Sequence, residues 1–220
     1  MNNSFRLFGC FLAILLHASL AHGQDQTTVN NCRPREGTLC ADMNLNSVDF
    51  SRQNLSRAQF SGSNMEGARL TGTNFTNANL TRTDLRLADL REARLVDADL
   101  RAANLAHANL LSAQASNANM QNVIGEAADF SKAVLNGADF SGAELRAAKL
   151  LNTDANRANF RSADLSGAVL NGANLEGANF TNANLRNADL RGARLHQATF
   201  TGADMVGCRG CPPQPPGSLR

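Results

Sequence analysis

Large apolar residues recur at every fifth position from Leu45 to Met205, with no insertion or deletion. Of these 33 central positions, 19 are Leu, 8 are Phe and 3 are Met. Ala stands two residues before the central residue in 25 of the 33 units, and Asn or Asp lies between the two in 22. A period of five matches neither the apolar stripe of an α-helix nor the strict alternation of a straight strand. The pattern therefore predicts a different repeating element.

Each unit is predicted to be a very short extended edge followed by a turn. Residues two apart in an extended segment point to the same side, so the Ala and the central residue both face inward. The second residue after the central one is Gly or Asn in 17 of the 33 units. These residues tolerate the positive φ that many tight turns require. Because the chain turns in the same sense after every edge, it must coil on itself, which predicts an all-β solenoid.

The distribution of Phe indicates four edges in each coil. A 20-residue coil gathers five of the eight repeat Phe residues into one column, whereas a 15-residue coil spreads them over all columns. That column is Phe60, Leu80, Leu100, Met120, Phe140, Phe160, Phe180 and Phe200. The prediction is a quadrilateral β-helix of about eight coils, roughly 40 Å tall at about 4.8 Å per coil.

The repeat resembles that of the pentapeptide-repeat family, and residues 172–180, GANLEGANF, show it well. The resemblance covers about three quarters of the chain and implies a right-handed coil. The central positions depart from the pattern at Ala115, Gly125 and Ala155, and residues 122–125 read NVIG. We therefore expect a constriction or an irregular turn near residues 115–125. A hinge between two half-solenoids is the alternative.

The first 23 residues are typical of a secretory signal peptide. Arg6 precedes an apolar run over residues 7–16, and small residues follow at Ser19, Ala21 and Gly23. Cleavage after Ala21 or after Gly23 satisfies the small-residue requirement. An uncleaved anchor is the alternative, although the run is shorter than the roughly 20 residues that span a bilayer. The prediction is an exported protein, periplasmic or extracellular, without a membrane span after cleavage.

The remaining segments are an N-terminal cap over residues 24–42, the solenoid over residues 43–207, and a C-terminal cap and tail over residues 208–220. Four cysteines remain in the mature chain. A disulfide needs Cα atoms within roughly 7 Å, and the predicted solenoid separates its two ends by far more. Pairing of a cysteine at one end with a cysteine at the other is therefore excluded. Since export favours oxidation, we predict the disulfides Cys32–Cys40 and Cys208–Cys211. A redox motif or half of a zinc site is the alternative for Cys208 and Cys211.

Composition narrows the classes of function. The chain has 21 Lys and Arg against 19 Asp and Glu, and removal of residues 1–23, which hold Arg6 and no acid, leaves a net charge of +1. A strongly basic nucleic-acid binder is therefore not expected. The sequence has four His, no Trp and no Tyr. It shows no nucleophile–base signature, no phosphate-binding loop and no cluster of metal ligands, so we predict a protein that is not an enzyme and takes no metal or cofactor.

Two features suggest a surface for a protein partner. Residues 81–101 are dense in charges of both signs, which favours a solvated face with weak ion pairs. The alternative is an arginine-lined partner surface that includes Arg91 and Arg94. Leu111 and Leu151 occupy outward positions in one column, and Val169 lies on the same face. Together these five residues form the predicted partner surface.

The functional hypothesis is an exported scaffold or protein-interaction module. Some members of the resembled family interact with DNA gyrase as DNA mimics, which supplies the alternative. The near-neutral charge, the outward Arg residues and the predicted export weigh against it. A thiol-redox or metal protein that uses Cys208 and Cys211 is the third hypothesis. The family resemblance also implies a homodimer formed through one end of the solenoid.

Overall fold

The computed structural model describes Val29 and residues 31–213. The predicted signal peptide, residues 1–23, and the end of the predicted tail lie outside these described residues. The described part contains neither an α-helix nor a strand of more than one bridge residue. Within it, no helix is long and apolar enough to pass through a membrane. Short edges and turns alternate along its whole length instead.

The turns follow one geometry throughout. Every fifth residue from Gly37 to Gly207 has a φ between +52° and +73°. At each turn from Leu45 onward the carbonyl of the central residue accepts a hydrogen bond from the amide three residues later, as from Ser63 N to Phe60 O at 3.0 Å. A positive φ at the third residue of such a turn is the pattern of type II. This requirement explains the preference for Gly and Asn at that position.

Each edge contributes one residue to a ladder of parallel bridges along the solenoid axis. Asn159 pairs with Asp139 in the coil before it and with Asn179 in the coil after it. The four columns of bridge residues define four faces, each in steps of twenty residues. Face 1 runs from Asn44 to Asp204, face 2 from Asp49 to Arg209, face 3 from Asn54 to Arg194 and face 4 from Leu39 to Thr199. The predicted 20-residue coil is confirmed by this register.

The interior is a continuous stack of side chains. The rings of Phe140, Phe160, Phe180 and Phe200 lie in one column with successive centroids 5.2, 5.0 and 5.0 Å apart. The Ala residues two positions before most central residues are buried beside them. Each fully buried large side chain contributes roughly 1.5–3 kcal/mol. Small side chains fill the rest because larger ones would overpack so narrow a tube.

A few inward positions hold a hydroxyl in place of the Ala methyl group. Thr73 is fully buried, and its Oγ1 donates to the carbonyl of Phe50 at 2.7 Å. The same bond, across 23 residues, is made by Ser63 to Cys40, Thr83 to Phe60 and Thr153 to Phe130. Each hydroxyl is therefore satisfied inside the core, as buried polar groups require.

The irregular turn expected near residues 115–125 is wrong. The turn residues Asn117 and Asn122 have φ values of 57° and 56°, and Ile124 pairs with Glu144 in the regular register. A Cβ atom on Gly125 would lie only 2.8 Å from Leu145 Cδ2, so Leu145 already occupies the space that a larger central residue would take. The ladder of backbone bonds fixes the register, and a neighbouring side chain fills the gap.

The two ends of the solenoid differ. Regular structure begins before residue 43, because Gly37 already has the turn conformation and Leu39 pairs with Gln59. Cys32 and Cys40 are bonded to each other and fully buried, which closes the N-terminal end. At the other end, the described residues leave the last inward side chains partly exposed: Leu195, Phe200 and Met205.

Candidate functional site

The outer surface carries a recurrent Asp–Arg pair, built by the turn itself. An Asp at the bridge position and an Arg two residues later both point outward, and the guanidinium folds back on the carboxylate. In one such pair, Arg101 Nε and Nη2 donate to Asp99 at 2.9 and 2.7 Å, and the Arg101 backbone amide donates to Asp99 Oδ1 at 3.1 Å. The other pairs of this kind are Asp84–Arg86, Asp89–Arg91 and Asp189–Arg191.

These pairs hold the carboxylates in their charged form. Hydrogen bonds from Arg86, Arg91 and Arg101 lower the pKa values of the aspartates two residues before them. The hydrogen bond from Arg191 lowers the pKa of Asp189 to about 2. A general acid at neutral pH needs a pKa raised toward 7. These four carboxylates are therefore suited to surface electrostatics rather than to proton transfer.

The apolar members of the predicted partner surface do not form one patch. Leu111 and Leu151 lie at the corner that follows face 2, both half-buried and two coils apart, with Ser131 between them. Val169 is half-buried on face 2 and pairs with Lys149. The three side chains thus share one side of the solenoid but are interrupted by polar residues.

The two arginines of the predicted surface are separated. Arg91 lies one coil below Leu111 in the same column, and it binds Asp89 through Nε and Nη2 at 2.7 and 2.6 Å. Arg94 lies on face 3, exposed, and makes no ion pair with another residue of the described part. The structure therefore places Arg91 at the corner of Leu111 and Arg94 around the next turn.

Three exposed large apolar residues on another side of the solenoid, Leu87, Ile124 and Val206, are not part of the predicted surface, and the first two lie two coils apart. Leu87 is 60% exposed and stands at a turn position with a φ of 59°. Ile124, 37% exposed, stands at a bridge position of face 1 where Asn or Asp is usual. The sequence could have identified Leu87 and Ile124, because each is apolar at an outward position where the repeat prefers a polar residue or Gly.

Three further features of the described surface concern metal ligands, a depression and the C-terminal cysteines. Within residues 31–213, no three His, Cys, Asp or Glu side chains converge in a group that could hold a metal ion. A shallow depression near the N-terminal end has polar walls, formed by Asp42, Ser61, Gly62, Asn79, Thr81 and Arg82. Cys208 and Cys211 form a disulfide with a Cα–Cα distance of 5.9 Å, so neither is a thiolate ligand in this state.

Three solved structures are similar to this chain. HetL from the cyanobacterium Nostoc sp. strain PCC 7120, a pentapeptide repeat protein involved in the regulation of heterocyst differentiation, is 32% identical over 77% of this chain and 86% of its own, with a TM-score of 0.47. A pentapeptide repeat protein from the thylakoid lumen of Arabidopsis thaliana is 27% identical over 58% and 71%, with a TM-score of 0.37. QnrB1, a plasmid-mediated fluoroquinolone resistance protein, is 18% identical over 76% and 84%, with a TM-score of 0.46.

The family comparison covers the solenoid except for residues 123–125. No curated protein matches the sequence. The family model for pentapeptide repeats matches in eight copies, within segments that extend from residue 37 to residue 209. Those limits coincide with the first regular turn at Gly37 and with Arg209, the last bridge residue of face 2. The chain belongs to the pentapeptide repeat family and forms its right-handed quadrilateral β-helix.

Proposed function

We propose that this protein is an exported, non-enzymatic interaction module that binds other proteins through columns of outward side chains. The regular columns carry this proposal. The amides of the coils bond to neighbouring coils, as Phe160 N does to Asn179 O at 2.8 Å, and the inward side chains are buried. Recognition is therefore left to the side chains that project from the bridge and turn positions.

The cysteines support export. One disulfide lies at each end of the solenoid. Cys32 and Cys40 are eight residues apart in sequence, and Cys208 and Cys211 are three apart. Disulfides form and persist in oxidising compartments and are rare in the cytosol. The predicted signal peptide over residues 1–23 leads to the same compartment.

The surface predicted from the sequence stays one candidate for the binding site. Leu111, Leu151 and Val169 supply apolar area, and Arg91 and Arg94 supply charge. Polar residues interrupt it, and Arg91 is engaged by Asp89. We call these five residues the comparison surface.

The test is chemical cross-linking in the exported fraction of cells that carry the tagged, full-length protein. The expected result is one protein partner, recovered in proportion to the bait and absent when an unrelated exported protein carries the tag. Recovery of the uncleaved bait from the cytosol with all five of its thiols free would contradict export. Absence of any specific cross-link would contradict the interaction role.

The alternative functions have separate assays. Inhibition of DNA gyrase supercoiling by the mature protein would favour the DNA-mimic hypothesis. Catalysed thiol exchange that is lost in the Cys208→Ser, Cys211→Ser variant would favour a redox role. We expect no inhibition of gyrase, because the outer Asp residues are paired with Arg, which does not produce the uniformly acidic surface of a DNA mimic. We expect no thiol exchange either, because we assign the Cys208–Cys211 disulfide a structural role at the end of the solenoid.

A further inference from the structure

One turn residue is unsuited both to its backbone conformation and to its solvent exposure. Leu87 has a φ of 59°, in the left-handed region, which costs a non-glycine residue roughly 1–2 kcal/mol. The residue is also 60% exposed. The same conformation occurs at 24 non-glycine residues of the described part, Leu87 included, so it is the large, exposed apolar side chain that sets Leu87 apart from the other turn residues.

The residues stacked on Leu87 share its character. Across the 33 units, the left-handed turn position holds an apolar residue only four times, at Leu87, Ala102, Ala127 and Ala147. Three of these four lie in one column, at the corner between faces 1 and 2, with His107 as the member between Leu87 and Ala127. We define the Leu87 corner as this column with its apolar neighbours: Leu87, Ala106, His107, Ile124, Ala127 and Ala147.

Carboxylates line the face 1 side of the Leu87 corner. Along face 1 and the first turn position beside it, residues 64–166 include five acids and two bases, a net charge of −3. The acids are Glu66, Asp84, Glu126, Glu144 and Asp164, and the bases are Arg86 and Arg146.

Both guanidinium groups are already engaged by these acids. Arg86 Nη2 lies 2.9 Å from Glu66 and 2.7 Å from Asp84. Arg146 contacts Glu126 and Glu144 at 3.2 Å and Asp164 at 3.6 Å. Two guanidinium groups are thus shared among five carboxylates, which leaves this side of the corner with a net negative charge.

We propose that the Leu87 corner binds a cationic amphipathic helix of a partner protein, an inference that rests on the interaction role proposed above. From Leu87 to Ala147 the corner rises by three coils, about 14 Å at roughly 4.8 Å per coil. A helix of about ten residues has this length, at 1.5 Å per residue. Its apolar stripe contacts Leu87, Ile124 and the Ala methyl groups, and its Lys or Arg residues face the carboxylates on the face 1 side.

The probe is a synthetic 14-residue peptide of Leu and Lys, with Leu at helical spacing, titrated into the mature protein by fluorescence anisotropy. We expect saturable binding that weakens at high salt, since salt screens exposed charges. The same peptide with Glu in place of Lys should not bind. Failure of the Lys peptide to saturate, or equal binding of both peptides, overturns the proposal.

Two substitutions locate the site without loss of the fold. Leu87→Asn and Ile124→Asn each introduce a residue that the repeat prefers at that position, so the variant should be at least as stable as the wild type. Together they should weaken binding of the Lys peptide at least tenfold. The matched control, Leu111→Asn with Leu151→Asn on the comparison surface, should leave it unchanged.

The outcomes distinguish the assignment of the binding site from the proposed interaction role. If the Lys peptide no longer binds the Leu111→Asn, Leu151→Asn variant but still binds the Leu87→Asn, Ile124→Asn variant, the Leu87 corner is overturned and the interaction role is supported. If only the Leu87→Asn, Ile124→Asn variant loses binding, the site and the role are both supported. A partner that is cross-linked in the exported fraction equally well by wild type and by the Leu87→Asn, Ile124→Asn variant likewise contradicts only the assignment of the site.

Discussion

The rings of Phe160 and Phe180, twenty residues apart in sequence, stack with centroids 5.0 Å apart and planes inclined by 6°. Their amides and the carbonyls of neighbouring coils are bonded in the same register, from Phe160 N to Asn179 O at 2.8 Å. Core packing and backbone hydrogen bonds therefore both require the same repeat of twenty residues per coil. Every outward column, and with it every candidate binding surface, follows from that agreement.

The middle of the Phe column should be more sensitive to truncation than its end. Phe160 is fully buried and stacked on both sides, so Phe160→Ala should cost about 3–5 kcal/mol in free energy of unfolding, as is typical of such core truncations. Phe200 stacks on Phe180 alone and is partly exposed. Urea denaturation of both Ala variants measures the difference, and equal losses would contradict the stacked column.

The left-handed conformation of the third turn residue should decide whether a small substitution there raises or lowers the free energy of unfolding. Gly167 has a φ of +66° and no atom near the position of an added Cβ, so Gly167→Ala tests backbone strain alone and should destabilise by about 1 kcal/mol. Ala102 has a φ of 55°, and the reverse substitution, Ala102→Gly, should raise the free energy of unfolding. Thermal melts of the two variants in opposite directions support the turn assignment, whereas shifts in the same direction contradict it.

Acid should weaken the fold through the carboxylates that Arg residues hold ionised. The pKa of Asp189 is lowered from 3.8 to about 2, chiefly by the hydrogen bond from Arg191. A carboxyl whose pKa is lower in the folded state contributes stability above its unfolded pKa, and this stability is lost as the pH falls through the folded value. The loss should therefore occur between about pH 4 and pH 2.

Substitution of one arginine isolates this effect. In Arg191→Met, the pKa of Asp189 should move back toward 3.8, as measured by a carbon-detected NMR titration of the carboxyl group. The control is Arg101→Met, which removes the partner of Asp99 and should leave Asp189 unchanged. A titration of Asp189 that is the same in all three proteins would show that Arg191 is not the cause.

The two disulfides should contribute unequally. In the chain-entropy picture, closing eight residues at Cys32–Cys40 is worth roughly 2.5 kcal/mol, and closing three at Cys208–Cys211 roughly 1.6 kcal/mol. Cys32 and Cys40 are also fully buried, so the pair Cys32→Ala, Cys40→Ala should destabilise more than Cys208→Ala, Cys211→Ala. Denaturation of both variants gives the order, and alkylation before and after reduction gives the thiol count. Four reactive thiols before reduction would contradict both bonds.

The repeat made most of the fold predictable. A central Leu or Phe at every fifth residue defined the edge, and Gly or Asn two residues later indicated the turn, whose positive φ the structure shows from Gly37 to Gly207. The column of Phe residues selected the 20-residue coil. Such patterns are readable because each unit contacts only its neighbours, so local preference and global structure agree.

Deviations from the repeat were harder to interpret. Gly125 suggested an irregular turn, but the turn is regular. A methyl group of Leu145, in the next coil, fills the space beside Gly125. Leu87 was not predicted as part of a surface because one exposed Leu is ordinary in a sequence. It becomes informative only when the coils are aligned and Leu87 shares a column with Ala127 and Ala147. The partner surface predicted around Leu111 stays a prediction, and its residues are not contiguous, because Arg91 is bound by Asp89 and Arg94 faces another side.

The measurement that tests the account most directly is the distance between spin labels at Gln59→Cys and Thr199→Cys, both on face 4 and separated by 140 residues. The four native cysteines of the described part are disulfide-bonded and should not react with the label. Seven coils of 20 residues predict a separation of about 34 Å by double electron–electron resonance, at roughly 4.8 Å per coil. A separation near 45 Å, which coils of 15 residues would give at the same rise, would contradict the four-sided coil and every surface assigned from it.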